Sequence, residues 1–276
     1  MRLLITGIKG QLGQALHALL PAAAGADLPE VDITRPESID AAVEKARPEV
    51  ILHCAALTDV DGAARDPALA YRVNGLGTQN VALAAARAGA ALVHISTNEV
   101  FDGAKAEPYS EFDSPRAINA YGQSKLAGEW FATHLTSQFY VIRIAWLAAP
   151  GGRNFIHRIQ QLADERGRLQ VVTDEVANPT FVGDLAEAIV KLLATGRFGL
   201  YHLTNAGYCS RYDYARKILD MTGRSHIVIE PITRAQYPRP SMPPAFTPLA
   251  NTAAAALGVT LRPWEAALAE FLQQRG

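Results

Sequence analysis

A doubly wound α/β fold, with helices on both faces of a parallel sheet and a smaller mixed α/β lobe beside it, is what these 276 residues predict. Three observations carry that expectation. Short runs with apolar residues on both faces alternate with helical patterns through the first two thirds of the chain, as strands buried on both sides require. A glycine-rich turn, TGIKGQLG (6–13), joins the first such run to the first helical pattern. From Leu147 onward the elements shorten and a proline-rich stretch appears, the pattern of a small lobe over the carboxyl edge of the sheet. Open sheets of this kind bind ligands at that edge.

Taken in order, RLLIT (2–6) is the first strand and QLGQALHALL the helix after the glycine turn. GADL (25–28) is a short second strand. In TRPE, Thr34 and Glu37 have the spacing of a capping box and Pro36 suits a first helical turn, so SIDAAVEKA is a helix. EVILHCAA (49–56) is the third strand, followed by a helical region from about Pro67 to Ala88 and the strand ALVHIS (91–96). AYGQSKLAGEWFATHL (120–135) is a helix and FYVIRIAW (139–146) a strand. Beyond it, helices near 154–166, 183–194 and 210–222 interleave with the short strands LQVV, GLYHL and HIVIE.

A net charge of −1 without blocks of like charge gives no support to a nucleic-acid or acidic-membrane partner. Cys54 and Cys209 offer neither a disulfide framework nor metal-type spacing. No apolar run is long enough to span a bilayer, and the N-terminal one is too short for a secretory signal. A cytoplasmic protein is expected. His53 and His94 lie on strands and read as satisfied core histidines. Asp59 and Asp61 lack convergent His, Cys or Glu ligands, so no metal is expected.

Gly7, Gly10 and Gly13 follow a strand and open a helix. There they let the backbone turn sharply and bring helix N-terminal amides to a pyrophosphate. Asp27 comes 20 residues after Gly7. It is either an acceptor for an adenosine ribose hydroxyl, favouring NAD, or a turn residue. Tyr121 and Lys125 are four apart and share a helix face. An ammonium about 5 Å from a phenol favours the phenolate by roughly 3 kcal/mol, or about two pKa units. A surface pair at that spacing is the plain alternative. Thr97 weakens it, because Thr97 closes a strand at the same sheet edge.

Together these residues resemble the extended short-chain dehydrogenases/reductases and, more narrowly, the dTDP-4-dehydrorhamnose reductase family over nearly the whole length. TGIKGQLG, VDIT (31–34), CAALTDVD (54–61), YRVNGLGTQN (71–80), ISTNEVFDG (95–103), NAYGQSKLAGE (119–129) and VVTDEVANPTFVGDLA (171–186) carry the likeness. It implies a Rossmann-type domain of residues 1–146 plus about 181–204, with 147–180 and 205–276 as a substrate lobe. It implies NADH or NADPH held by Gly7, Lys9, Gly10, Gln11, Leu12, Gly13, Asp27, Asp32, Ile33, Ala55, Ala56, Thr58, Asn74 and Lys125. Catalysis is implied for Thr97, Tyr121 and Lys125, with Tyr121 donating a proton to a C4 alkoxide. Contacts to a nucleotide-sugar substrate are implied for Asn98, Glu99, Trp146, Asn154 and Arg239, and a homodimer is a family-level expectation.

Three departures matter. Asn98-Glu99 stands where the family usually has Asp-Tyr. Nucleotide-sugar 4,6-dehydratases resemble ST-Asp-Glu there, so Asn98 removes their acid while Glu99 keeps their base. Pro243 stands where the family commonly has arginine, leaving Arg239 or Arg234 as the substitute, and Ala64 replaces a frequent acidic residue. An epimerase or dehydratase, and a non-catalytic cofactor-binding subunit, are the competing readings.

Overall fold

A computed structural model of the chain describes residues 1–151 and 154–273. The last residues assigned to the smaller lobe, 274–276, lie outside it. Six parallel strands form one sheet: β1 (Leu3–Thr6), β2 (Ala24–Ala26), β3 (Val50–His53), β4 (Ala91–Thr97), β5 (Phe139–Ile144) and the strand Gly199–His202. Their spatial order is β2-β1-β3-β4-β5 and then Gly199–His202. The order reverses at β1, so a crevice opens above the carboxyl ends of β1 and β3.

Alternate residues of each strand feed opposite cores, which is why no polar face is visible in the sequence. Leu3, Ile5, Leu52, Val93 and Ile142 pack under helix α1 (Gln11–Leu19) and the helix Val182–Ala194, through Leu12, Leu16, Leu185 and Ile189. Leu4, Ile51, Leu92 and Val141 face the other way. There they meet α2 (Pro36–Ala46), α5 (Gly77–Ala88) and α6 (Ala120–Leu135), reached after the short helices α3 (Val60–Arg65) and α4 (Pro67–Ala70). Fully burying each such side chain contributes about 1.5–3 kcal/mol. The helical stretch from Pro67 to Ala88 widens into a π-turn at Tyr71–Leu76. A second core includes Ile156, Leu169, Tyr214, Leu219 and Leu268, and beside it Arg168–Val172 pairs in parallel with Val228–Ile232.

Local signals were overridden at several points. The capping box at Thr34 does not form: Arg35 is the N-cap of α2, and the Thr34 hydroxyl and amide both bond the Asp32 carboxylate. The second strand is Ala24–Ala26 rather than 25–28, because Asp27 turns its carboxylate onto the glycine turn. The third ends at His53, and the backbone of Ala55 beyond it lies close against Gly7. β5 ends at Ile144, short of Trp146, whose backbone is left-handed at φ 38°.

The two strand histidines differ. His53 Nδ1 sits 2.7 Å from the Thr6 hydroxyl and Nε2 3.1 Å from that of Thr78. Because Thr78 donates to the Asn74 carbonyl, it accepts from His53, which places the imidazole proton on Nε2. His94 is fully buried, and neither of its nitrogens has a hydrogen-bond partner among the described residues. It is not the satisfied core histidine expected. Burial and the nearby Lys125 hold it neutral, which lowers the cost of its unmet bonds.

Candidate active site

The glycine turn is built for an anion. Gly7 has φ 71°, and a Cβ there would meet the Ala55 nitrogen at 2.6 Å. A Cβ on Gly13 would run into the Gly7 carbonyl oxygen. Gly10 caps α1 with no side chain, and no acidic residue occupies the first turn. The amides of Gln11, Leu12 and Gly13 therefore have no intrahelical acceptor and point into the crevice mouth. Beside them is a cavity of about 540 Å³ bounded by Lys9, Gln11, Gln14, Pro150 and Gly151.

Asp27 closes this end of the site. Its two oxygens accept from the Lys9 and Leu28 amides, both at 2.8 Å. The Lys9 ammonium bonds the Leu28 carbonyl at 2.6 Å and Glu30 at 3.2 Å. Asp32 holds the Thr34 turn, and the buried Ile33 packs where a Gly77 side chain would stand. Ala55, Ala56 and the exposed Thr58 follow β3 along the facing wall. Asn74 does not present its amide to the crevice. It binds the Leu57 N–H and C=O and donates to Ser124, clamping that wall onto α6.

At the carboxyl end of β4, Asn119 does two things at once. Its carbonyl caps α6 by accepting from the Gly122 amide at 2.8 Å, and its NH2 donates to Glu99 Oε2 at 2.6 Å. Any side chain on Gly122 would strike the Glu99 carbonyl oxygen. The turn Thr97–Glu99 and the first turn of α6 are thus pressed together, and the Thr97 side chain acts on the Tyr121 phenol. One turn further on, Lys125 is buried. Its ammonium makes no hydrogen bond to the described residues, although it feels Glu129 and Cys54.

The electrostatics differ from the sequence expectation. Lys125 does not acidify the phenol in this structure. Burial, and then the Glu99 carboxylate, push Tyr121 well above its ordinary pKa, with the Thr97 bond opposing. Burial also brings Lys125 down to about 8, against the pull of Glu129 and Cys54. The phenol is held in its proton-bearing form, the form a donor needs.

Across the cleft, Trp146 lies under the Arg211 guanidinium, 3.6 Å from its ring, and Arg211 is fixed by Glu175 at 2.9 Å. Arg239 bonds Asp61 at 3.0 Å. Arg234 turns instead to Asp174 and to the Pro243 carbonyl, so Arg239 is the arginine left facing the site. Asn154 caps the helix Phe155–Arg166 through the His157 amide. A cavity of about 1390 Å³ is walled by Trp146, Asn154, Phe155, Arg158, Arg211 and Arg239. Thr97, Tyr121 and Lys125 do not line it. Glu99 does not line it either, but three residues of its wall, Glu175, Arg239 and Arg211, act on the Glu99 carboxylate. Asn98 is buried and donates to Thr247 at 2.7 Å, tying the β4 turn to the C-terminal segment.

Sequence reasoning missed Asn119, Glu175 and Arg211. Asn119 carried a signal, an N-cap residue just before a helical run. The other two meet their partners only through the fold.

The RmlD substrate binding domain family matches residues 1–276. The dTDP-4-dehydrorhamnose reductase of Mycobacterium tuberculosis is 39% identical over 98% of this chain and 92% of its own length. Among solved structures, a dTDP-4-dehydrorhamnose reductase from Clostridium acetobutylicum superposes with a TM-score of 0.95 at 36% identity, covering 99% of each chain. One from Bacillus anthracis, solved in complex with NADP, superposes equally well at 36% identity and 99% coverage of each chain. In sequence and in fold, the chain belongs to the RmlD substrate binding domain family.

Proposed function

We propose that this protein is an NAD(P)H-dependent reductase of a nucleotide-diphospho-4-keto-6-deoxyhexose, the dTDP-4-dehydrorhamnose reductase reaction. The observation that carries this reading is the Thr97–Tyr121 hydroxyl pair, with the buried Lys125 one turn on, set at the sheet edge beside the glycine cradle. The Gln11–Gly13 amides would take the cofactor pyrophosphate, and Asp27 with Lys9 would meet the adenosine end. Lys125, with no hydrogen bond to the described residues, would be the donor for the nicotinamide ribose. The bound dihydronicotinamide supplies the hydride. Thr97 and Tyr121 orient the carbonyl oxygen, and Tyr121 hands its proton to the forming alkoxide.

Residues 1–146 with about 181–204 would hold the cofactor, and the remainder the sugar nucleotide. The competing dehydratase needs an acid at position 98, and Asn98 cannot supply one. The exposed Tyr71, Leu76 and Trp130 supply apolar surface for a homodimer, and the two free thiols suit the cytoplasm.

The test is oxidation of NADH or NADPH dependent on a dTDP-4-keto-6-deoxyhexose. Tyr121→Phe is expected to lower kcat by about 10²–10⁴-fold. A Phe variant with wild-type turnover would sink the mechanism.

A further inference from the structure

We propose that Arg211, working with Arg239, binds the diphosphate of the substrate in this protein and takes over from the arginine that Pro243 replaces. The inference rests on the reading of the substrate as a nucleotide-diphospho sugar.

Pro243 supplies no cation, and its carbonyl is occupied by Arg234. Arg211 opens the helix Arg211–Met221 and lines the cavity of about 1390 Å³. Its guanidinium is held on two sides. Nε donates to Glu175 Oε1 at 2.9 Å. The guanidinium carbon lies 3.6 Å from the centre of the Trp146 ring and 5.0 Å from that of Phe155. The buried Tyr214 ring stacks on both aromatics, at 6.3 Å from Trp146 and 5.5 Å from Phe155, and so fixes the floor. The two terminal nitrogens of Arg211 make no hydrogen bond to the described residues. Arg239 lines the same cavity and repeats the arrangement, with Nε donating to Asp61 at 3.0 Å and its terminal nitrogens equally uncommitted among the described residues.

An arginine fixed through Nε presents its other two nitrogens as a fork, which can bind two oxygens of one phosphate at once. Stacking and the carboxylate bond hold that fork in place before a ligand arrives, so little side-chain freedom is lost on binding. Five arginines line the cavity against two acidic residues, Glu175 and Glu230. That excess of positive charge suits a diphosphate, and a neutral sugar has no use for it. Arg234, taken by Asp174 and Pro243, does not line the cavity. Both Arg211 and Arg239 act on Glu99, two residues from Thr97, so the pair is within electrostatic reach of the turn that carries the chemistry.

The test is calorimetric titration of the NADPH-loaded protein with dTDP and with thymidine. Arg211→Gln is expected to weaken dTDP by roughly 10–100-fold and to leave thymidine unchanged. Arg211→Lys, a point charge without the fork, should lose part of that, and it stands in if the Gln variant does not fold. Arg239→Gln should weaken dTDP in the same selective way. Failure of the wild type to bind dTDP, wild-type dTDP affinity in both Arg211 variants, or an equal loss for dTDP and thymidine overturns the proposal. Arg211-dependent dTDP binding in a protein that reduces no dTDP-4-keto-6-deoxyhexose would keep this site and remove the reductase reading. Reduction whose KM is indifferent to Arg211 would do the reverse.

Discussion

Tyr121 and Lys125 show how burial sets the behaviour of a residue. Taking the lysine out of water disfavours its ammonium, so its pKa falls to about 8 from the ordinary 10.5. Lys125 is 3% exposed, so screening by solvent is slight. Below pH 8 the folded protein carries a buried charge at full cost. Between 8 and 10.5 the unfolded chain binds the extra proton, and stability rises with pH. Above 10.5 both states are neutral and the cost is gone. Lys125→Met should therefore stabilise the fold by about 3 kcal/mol at pH 7 and by little above pH 10 while activity falls. Urea unfolding at the two pH values checks this, and an equal gain at both would contradict it. Such a cost survives where the ammonium is needed for binding or chemistry.

At the scale of elements, α6 places the chemistry by where it is allowed to approach. Gly122 lets its first turn press on Glu99, and Gly128 lets its middle lie against the Asn74 carbonyl and the His94 ring. Gly122→Ala must push the helix off the β4 turn and separate Tyr121 from Thr97. Steady-state assays should show about a 10²-fold loss in kcat/KM. Gly183 offers the contrast: it is exposed in a helix, and nothing stands where its Cβ would go. Gly183→Ala should leave activity intact and add about 0.5 kcal/mol or more to unfolding. If both substitutions behave alike, approach distance is not what positions α6.

For the whole molecule, the tie across the core is ionic. Glu129 of α6 and Arg143 of β5 form a buried bidentate pair at 2.9 and 2.7 Å, with Ser96 donating to the same carboxylate. Arg143 also lies over Phe101 and beside His202 of the outer strand. Burying two charges is costly, so the pair is a weak argument for net stability, but breaking it leaves one charge alone. Glu129→Gln should cost about 3–5 kcal/mol, read by denaturant unfolding, and the double variant Glu129→Leu with Arg143→Met should recover much of it. A single variant of wild-type stability would show that the pair bears no such strain. Asp61–Arg239 and Asn98–Thr247 join the sheet domain to the C-terminal segment, across 178 and 149 residues of chain.

The sheet, the glycine turn and the helix Ala120–Leu135 were legible because their signals are local. Two-sided apolar runs mark strands buried on both faces, and glycines at a strand–helix junction mark a close backbone approach. Spacing of four residues puts Tyr121 and Lys125 on one face. The capping box at Thr34 was equally local and failed, because Asp32 reached that hydroxyl first. Partners drawn from far along the chain were not legible at all: Glu175 bonded to Arg211, Asp61 to Arg239, and the His94 imidazole left without a hydrogen bond to the described residues. Above all, only the packed structure decided that Tyr121 keeps its proton. A pKa depends on how much water remains around the group and which charges face it, and both are properties of the assembled fold.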